Sequence, residues 1–413
     1  MTTQKKKIAV LTHFAGFQDS YALHVGWMER ARLLEHVGED FDFLVNDNCR
    51  EGIYPHQRAV LGRMKESAPF DARVEFFRDQ YVELLADYDA ILTADLIYQR
   101  KGNFLAYNAA MRAAAPHLKA HWYHWIHSGW TRRPAGIRYP ESLRYTMMDN
   151  STIVYLNVSE LAGVAEQYGT DLDHVACVYN PKDPRCFLDF HPLSREIVRR
   201  LDIPSKHAVQ IFPHCATRMD AKGIDAVIRV FAALKRAGLS VALILAQGNA
   251  RRVQGEIAKK KRWMARLGLV DGEDYLFTCD ITENFAPLPR RAVADLYRVA
   301  NLFVFGSWRE TVGNCFQEAL VSGNLLVLNQ NLPPMLEMGG GAAIWFDTTY
   351  KTPGVPDGAQ GDLRKVDYKD ETAYFDRLAQ RIIERLPDRS HLWRFSYDWI
   401  WQHQLRPLLY GGA

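Results

Sequence analysis

Apolar residues fall in short runs along this chain, separated by stretches in which they recur at helical spacing. Ile8–Thr12, Phe41–Val45, Tyr88–Thr93 and His121–Ile126 are the runs of the first half. Ala208–Phe212, Val241–Ala246, Tyr275–Thr278, Leu302–Phe305, Leu325–Leu328 and Ala343–Phe346 are those of the second. Runs this short and this apolar predict strands buried on both faces, as in a parallel sheet. Between them, Leu23, Trp27, Ala31 and Leu34 predict one helical face that ends at Gly38. Ile224, Val227, Ile228, Phe231 and Leu234 predict another, and 291–300 a third. Strand–helix alternation over the whole length predicts an α/β protein with doubly wound sheets.

The stretch 301–328 carries the densest chemistry. Its strand Leu302–Phe305 is broken by Gly306 and Ser307, a helix is predicted from about Gly313 to Val321, and Gly323 stops that helix before the next strand. Two carboxylates sit on the connection, Glu310 in the loop and Glu318 in the helix. Eight residues of helix advance about 12 Å and turn about 80° past two full turns, so both can face one elongated ligand. The loop follows a strand's carboxyl end, where open α/β sheets bind ligands. The adjoining helix N-terminus, with Gly313 allowing close backbone approach, favours an anion such as a diphosphate.

The bulk numbers set limits. A length of 413 residues suits two domains. A net charge of +3 is too small to imply a polyanionic partner, and the basic clusters at 5–7 and 259–262 read as solvated surface. Six cysteines without C-x-x-C pairing, and without histidines at metal-ligand spacing, fit reduced thiols in the cytoplasm. No apolar run approaches the ~18 residues of a membrane span. No metal site is expected. The acidic pairs Asp87/Asp89 and Asp171/Asp173 read as surface.

Ser307, Glu310, Gly313, Glu318, Ala319 and Gly323 stand in the register of the E-x7-E frame of retaining glycosyltransferases of the GT-B fold, family 4 in particular, which this stretch resembles. The family's Glu-Gly-Phe-Gly is Glu310-Thr311-Val312-Gly313 here, so a different approach of the loop to the donor sugar is expected. Other landmarks resemble the same family: Gly16 after the first strand, His127-Ser128 at the end of another, and a strand expected to end in Val158-Ser159-Glu160. Asn180, Asp183, Pro184 and Phe187 stand near the end of the first domain, and Arg218 and Lys222 before a helix in the second. The final stretch 393–410 resembles the C-terminal helix that returns to the first domain.

The resemblance implies two Rossmann-like domains facing a cleft. Residues 1–187, completed by 391–413, would form the acceptor-side domain, and 205–390 the donor domain. The chain would move a sugar from a nucleotide-diphosphate sugar with retention at the anomeric carbon. Glu318 would bind the ribose, and Glu310 the donor sugar, helped by Thr311, Val312, Gly313 and Asn314. Arg218 and Lys222, with Gly16, would hold the diphosphate, and His127 would reach the sugar. No cofactor besides the donor is implied, and the family is generally metal-independent. A nucleotide-sugar epimerase of the same fold, or a degenerate nucleotide-sugar-binding protein, are the alternatives. The acceptor is expected in contact with loops 13–20, 47–55 and 128–138, where Tyr54, His56, Trp130, Arg132 and Arg133 could stack on a sugar, on a nucleobase or on each other. A saccharide or glycolipid is the default acceptor, and a modified DNA base a second possibility. The polar stretch 347–365 has no assigned role.

Overall fold

The computed structural model describes residues 5–13, 22–46, 49, 51–214, 222–247, 250–307, 314–347 and 371–411. The chain divides into two compact units, Met1–Pro184 with Arg394–Ala413, and Arg185–Trp393.

In the first unit the order is β1 (Lys7–Leu11), α1 (Ala22–Val37), β2 (Asp40–Asn46), β3 (Gln57–Leu61), α2 (Phe70–Leu85), β4 (Ala90–Ala94), α3 (Phe104–Ala114), β5 (His121–Trp125), β6 (Ser151–Tyr155), α4 (Leu161–Tyr168) and β7 (Val175–Cys177). These strands form one parallel sheet in the order β3-β2-β1-β4-β5-β6-β7. The chain runs outward from β1 to β3, then resumes at β4 on the other side of β1. The ends of β1 and β4 therefore flank a topological switch point. Trp27, Ala31 and Leu34 of α1 pack on one face with Phe43 and Trp125. Phe77, Tyr81 and Leu85 of α2 and Ala110 and Met111 of α3 pack with Ile91 and Trp122 on the other. With both faces covered, the central strands β1, β4, β5 and β6 have no solvent side. That explains why their sequences run apolar instead of alternating.

The second unit starts within α5 (Pro184–Phe187) and continues through α6 (Pro192–Arg200), β8 (Ala208–His214), α7 (Ile224–Arg236), β9 (Val241–Gln247), α8 (Gln254–Arg266), β10 (Tyr275–Phe277), α9 (Arg290–Val299), β11 (Leu302–Phe305), α10 (Asn314–Val321), β12 (Leu325–Asn329), α11 (Pro333–Gly339), β13 (Ile344–Phe346) and α12 (Glu371–Ile383) to α13 (Ser390–Trp393). Its strands form two parallel ladders, β10-β9-β8 and β11-β12-β13.

Side chains join these two half-sheets where a ladder is interrupted. The Val304 N–H donates to the Gln210 carbonyl at 2.8 Å, and the Gln210 amide donates back to the Val304 carbonyl at 2.9 Å. Next to them Asn301 accepts from the Val209 N–H at 2.9 Å, and the Asn301 N–H donates to the Val209 carbonyl at 3.1 Å. A seam of this kind sets β8 beside β11, which gives the half-sheets the doubly wound arrangement with its own switch point. Gln210 and Asn301 are both buried, and the seam satisfies polar groups that would otherwise be orphaned. Gln210→Leu leaves both Val304 groups unpaired and is expected to destabilise this unit by about 3 kcal/mol, read as a fall in its urea midpoint. An unchanged midpoint would mean the seam closes by direct backbone pairing instead.

Two expectations are corrected here. The strand expected to end in Val158-Ser159-Glu160 is β6, and it stops at Tyr155. Asn157 turns the chain by accepting from the Glu160 N–H at 3.0 Å, so Glu160 lies at the start of α4. The stretch 393–410 is not one helix. The chain leaves helical form at Arg394–Ser396, and Ser396 then caps α14 (Tyr397–Ile400), which runs through a π turn at 401–405 into α15 (Arg406–Tyr410). Residues from Arg394 onward belong to the first unit. Tyr397 OH donates to Glu29 at 2.8 Å, and Tyr123 OH donates to the Leu408 carbonyl at 2.9 Å.

Candidate functional site

At the switch point of the second unit two connections leave the sheet, one from β8 into α7 and one from β11 into α10. Gly223 caps α7 in the left-handed region at φ 69° and lies directly against Gly306, just beyond β11. A Cβ added to Gly223 would sit 2.0 Å from the Gly306 carbonyl oxygen, and one added to Gly306 would lie 3.0 Å from the Gly223 carbonyl. The two backbones thus touch with no room for side chains. Lys222 is half-buried immediately before Gly223, and Ser307 is buried immediately after Gly306. The Ser307 carbonyl accepts from the buried Asn329 amide at 3.1 Å, which ties the end of β11 to the end of β12. On α10, Asn314 is exposed in the first turn, and the Glu318 side chain is 33% exposed, 3.8 Å from the Arg290 guanidinium. An ion pair this open is weak, which leaves Glu318 available to a ligand.

The first unit gathers a different set at the ends of β1, β4 and β5. Asp95, at φ 50° just after β4, accepts from the His127 N–H at 2.7 Å and so fixes the chain leaving β5. Burial raises the Asp95 carboxyl to about 6, against the hydrogen bonds from His127 and Ser128 and the charge of Arg30. Arg30, on α1, is itself buried over the rings of Trp27 at 4.9 Å and Trp125 at 5.6 Å. Its Nη1 donates to His127 Nε2 at 3.2 Å, and its Nη2 donates to Asn180 Oδ1. A guanidinium has no acceptor, so Nε2 must be the lone-pair nitrogen and the imidazole proton sits on Nδ1. Burial, with Arg30 alongside, pushes His127 down to about 2, so it stays neutral. Its Nδ1 is buried without a hydrogen-bond partner and is a donor in want of an acceptor. His127 in this state donates a hydrogen bond; it does not collect protons.

His13, at the end of β1, is held differently. Its ring stacks on Tyr107 at 3.6 Å, its Nδ1 meets Asn46 at 2.8 Å, and its Nε2 meets Tyr81 OH at 2.6 Å. Both nitrogens are engaged, and His13 is part of the wall.

Of the residues singled out from sequence, Lys222, Asn314 and Glu318 stand on the two connections of the second unit's switch point, and His127 at the carboxyl edge of the first unit's sheet. Gly16, Arg218, Glu310, Thr311, Val312 and Gly313 lie outside the described residues. Two of the acceptor-contact candidates are corrected. Tyr54 is buried and stacked on Phe43 at 4.5 Å, so its ring is already covered. Trp130 lies over Gly163, where an added Cβ would come within 2.3 Å of the indole. It packs on α4 and has no free face there. Arg30 and Asp95 were not singled out. Arg30 does carry a sequence signal, an arginine three residues after Trp27 on the apolar face of α1.

Among the described residues no three metal-ligating side chains come together, and no helix is long and apolar enough to cross a membrane. No protein-family model matches the chain, and no curated protein matches it. Among solved structures it is similar to a glycosyltransferase from Rickettsia africae, at 13% identity over 99% of this chain and 100% of that one, with a TM-score of 0.36. It is similar to Anabaena HepE in complex with UDP and glucose, at 14% identity over 98% and 99%, TM-score 0.30. It is also similar to a UDP-forming trehalose-phosphate synthase from Burkholderia vietnamiensis, at 13% identity over 97% of each chain, TM-score 0.31. None of these likenesses reaches the level at which a residue's role transfers.

Proposed function

We propose that this chain is a retaining glycosyltransferase of the GT-B class, taking its sugar from a nucleotide-diphosphate donor. The observation that carries the reading is the glycine-to-glycine contact at the second unit's switch point, with Lys222 before one helix and Glu318 eight residues along from Glu310 on the other connection. A phosphate chain needs close backbone approach, helix N-termini and a cation, and it finds all three there. Lys222 and Arg218 oppose the charge that develops on the leaving diphosphate, the task a metal performs elsewhere, so turnover is expected to persist in EDTA, and a loss restored by Mg²⁺ or Mn²⁺ would contradict this. Glu318 takes the ribose hydroxyls and Glu310 the donor sugar, with Thr311, Val312, Gly313 and Asn314 shaping that end. His127 offers its Nδ1–H to a sugar oxygen. The scattered thiols fit a reaction in the cytoplasm.

Slow donor hydrolysis across a nucleotide-sugar panel tests this without knowledge of the acceptor. Glu318→Gln, which touches a part of the donor that does not change during reaction, is expected to raise KM about tenfold and weaken nucleoside diphosphate binding equally. Glu310→Gln is expected to lower kcat about a hundredfold with nucleotide affinity nearly intact. Equal loss of nucleotide binding in both variants would mean the donor lies the other way round or the two glutamates do not act together.

A further inference from the structure

Three loops of the first unit interlock at the carboxyl edge of its sheet, after β3, β4 and β5. The Asn103 amide donates to the Met64 carbonyl at 2.8 Å, joining the first loop to the second. Tyr98 OH donates to the Gly129 carbonyl at 3.0 Å and Arg144 Nε donates to the Tyr98 carbonyl, joining the second to the third. The Tyr139 ring, in the third, meets the edge of Phe70 at 5.7 Å, next to the first. Segments far apart in sequence therefore present one surface, and it begins two residues after His127.

Its charge sets it apart. Residues 62–69, 98–103 and 129–144 hold eight cations and two carboxylates, Glu66 and Glu141, an excess of six where the whole chain carries +3. Seven of the eight are exposed, Arg144 being half-buried. The pair Arg132–Glu166, at 3.7 Å with side chains 80% and 60% exposed, is too screened to neutralise the surface. Six of the eight are arginines, whose planar forks meet phosphate oxygens two at a time. Tyr139, 60% exposed among them, offers a ring for a base to stack on.

We propose that this surface binds the phosphate backbone of a nucleic acid. An anionic bilayer is the other polyanion of comparable size, but stable docking on lipid takes an apolar or acyl anchor in addition to a basic patch. The third loop exposes one large apolar ring, Tyr139, amid Arg132, Arg133 and Arg138. A nucleic acid asks for cations and an aromatic face, and the surface supplies both. The proposal stands whether or not the chain transfers sugars.

The test is equilibrium binding of the full chain, without donor, to labelled single-stranded DNA and RNA of about 20 nucleotides, across about 50–200 mM salt. Phosphatidylglycerol vesicles are run in parallel. The wild-type chain is expected to bind the oligonucleotides with log affinity falling linearly in log salt. Arg132→Ala/Arg133→Ala/Arg138→Ala is expected to reduce that slope by about 2 and to weaken binding at least about tenfold, with circular dichroism unchanged. Should the triple variant misfold, Arg100→Ala/Lys101→Ala makes the same measurement from a neighbouring loop. Absence of oligonucleotide binding, binding that ignores these substitutions, or capture by vesicles alone would each overturn the proposal.

Discussion

Lowering the pH from 6 to 5 is expected to cost the first unit about 2 kcal/mol of folding stability, above the range where ordinary carboxylates titrate. The cause is three histidines kept neutral by burial. His13 is pushed down to about 3 by burial, partly opposed by its bond to Asn46. His124 is pushed to about 3 by burial, with Arg112 and His121 adding to it, and His127 to about 2 by burial and Arg30. Unfolded, each takes a proton near 6.5; folded, none does until the pH is far lower. Between those limits the unfolded chain binds more protons, so stability falls as the pH drops. Asp95 works the other way. Burial raises its carboxyl from 3.8 to about 6, so in that window the folded state holds the extra proton and offsets one of the three histidines. Two net protons give a slope of about 2–3 kcal/mol per pH unit, less near pH 6 where the unfolded histidines are only partly charged. Urea titrations at pH 7, 6 and 5, followed by tryptophan fluorescence, read this directly, since Trp27, Trp122 and Trp125 are all buried in this unit. A midpoint that stays flat to pH 5 would contradict the buried neutral histidines.

Gly223→Ala is expected to abolish nucleotide binding and to destabilise the second unit by more than about 3 kcal/mol. Two effects add. The left-handed backbone at φ 69° costs a side-chain-bearing residue about 1 kcal/mol. The greater cost comes from the new Cβ, 2.0 Å from the Gly306 carbonyl, which forces the start of α7 away from β11. Gly238, at φ 93° with nothing within 4 Å of its Cβ position, separates the two. Gly238→Ala is expected to show the backbone strain alone and to leave nucleotide binding unchanged. Calorimetric titration with a nucleoside diphosphate compares them. Similar behaviour of the two variants would mean that the contact between the glycines does not shape the site.

The strands and the central helices were legible because a doubly covered parallel sheet leaves a plain signature, apolar runs without alternation. Ile224, Val227, Ile228, Phe231 and Leu234 all turn inward on α7, as their spacing predicts. The polar groups were harder to read. Gln210 in the run Ala208–Phe212 and Arg30 on the apolar face of α1 are local contradictions of pattern, and both prove to be buried, hydrogen-bonded joints. A buried polar residue has to be paired, but sequence alone does not say with what, because the partner lies about 100 residues away in each case, Val304 for the first and His127 for the second. Tyr54 and Trp130 show the opposite failure. An aromatic residue in a loop reads as a ligand contact until the ring it packs on, or the glycine beneath it, comes into view.

The Gln210 seam has an implication for how such a unit could diversify. In a continuous ladder the spacing of neighbouring strands is written into many peptide groups at once, and no single codon can change it. Here the gap between β8 and β11 is spanned by the side-chain amides of Gln210 and Asn301 and one backbone bond, so the reach of two side chains enters the spacing. The mouth of the switch point, where Gly223 meets Gly306, lies beyond that same gap. Its width is thus an adjustable dimension, influenced by residues that need touch no ligand. A brace behind the switch point can accordingly be replaced while the glycines that meet at its mouth stay the same.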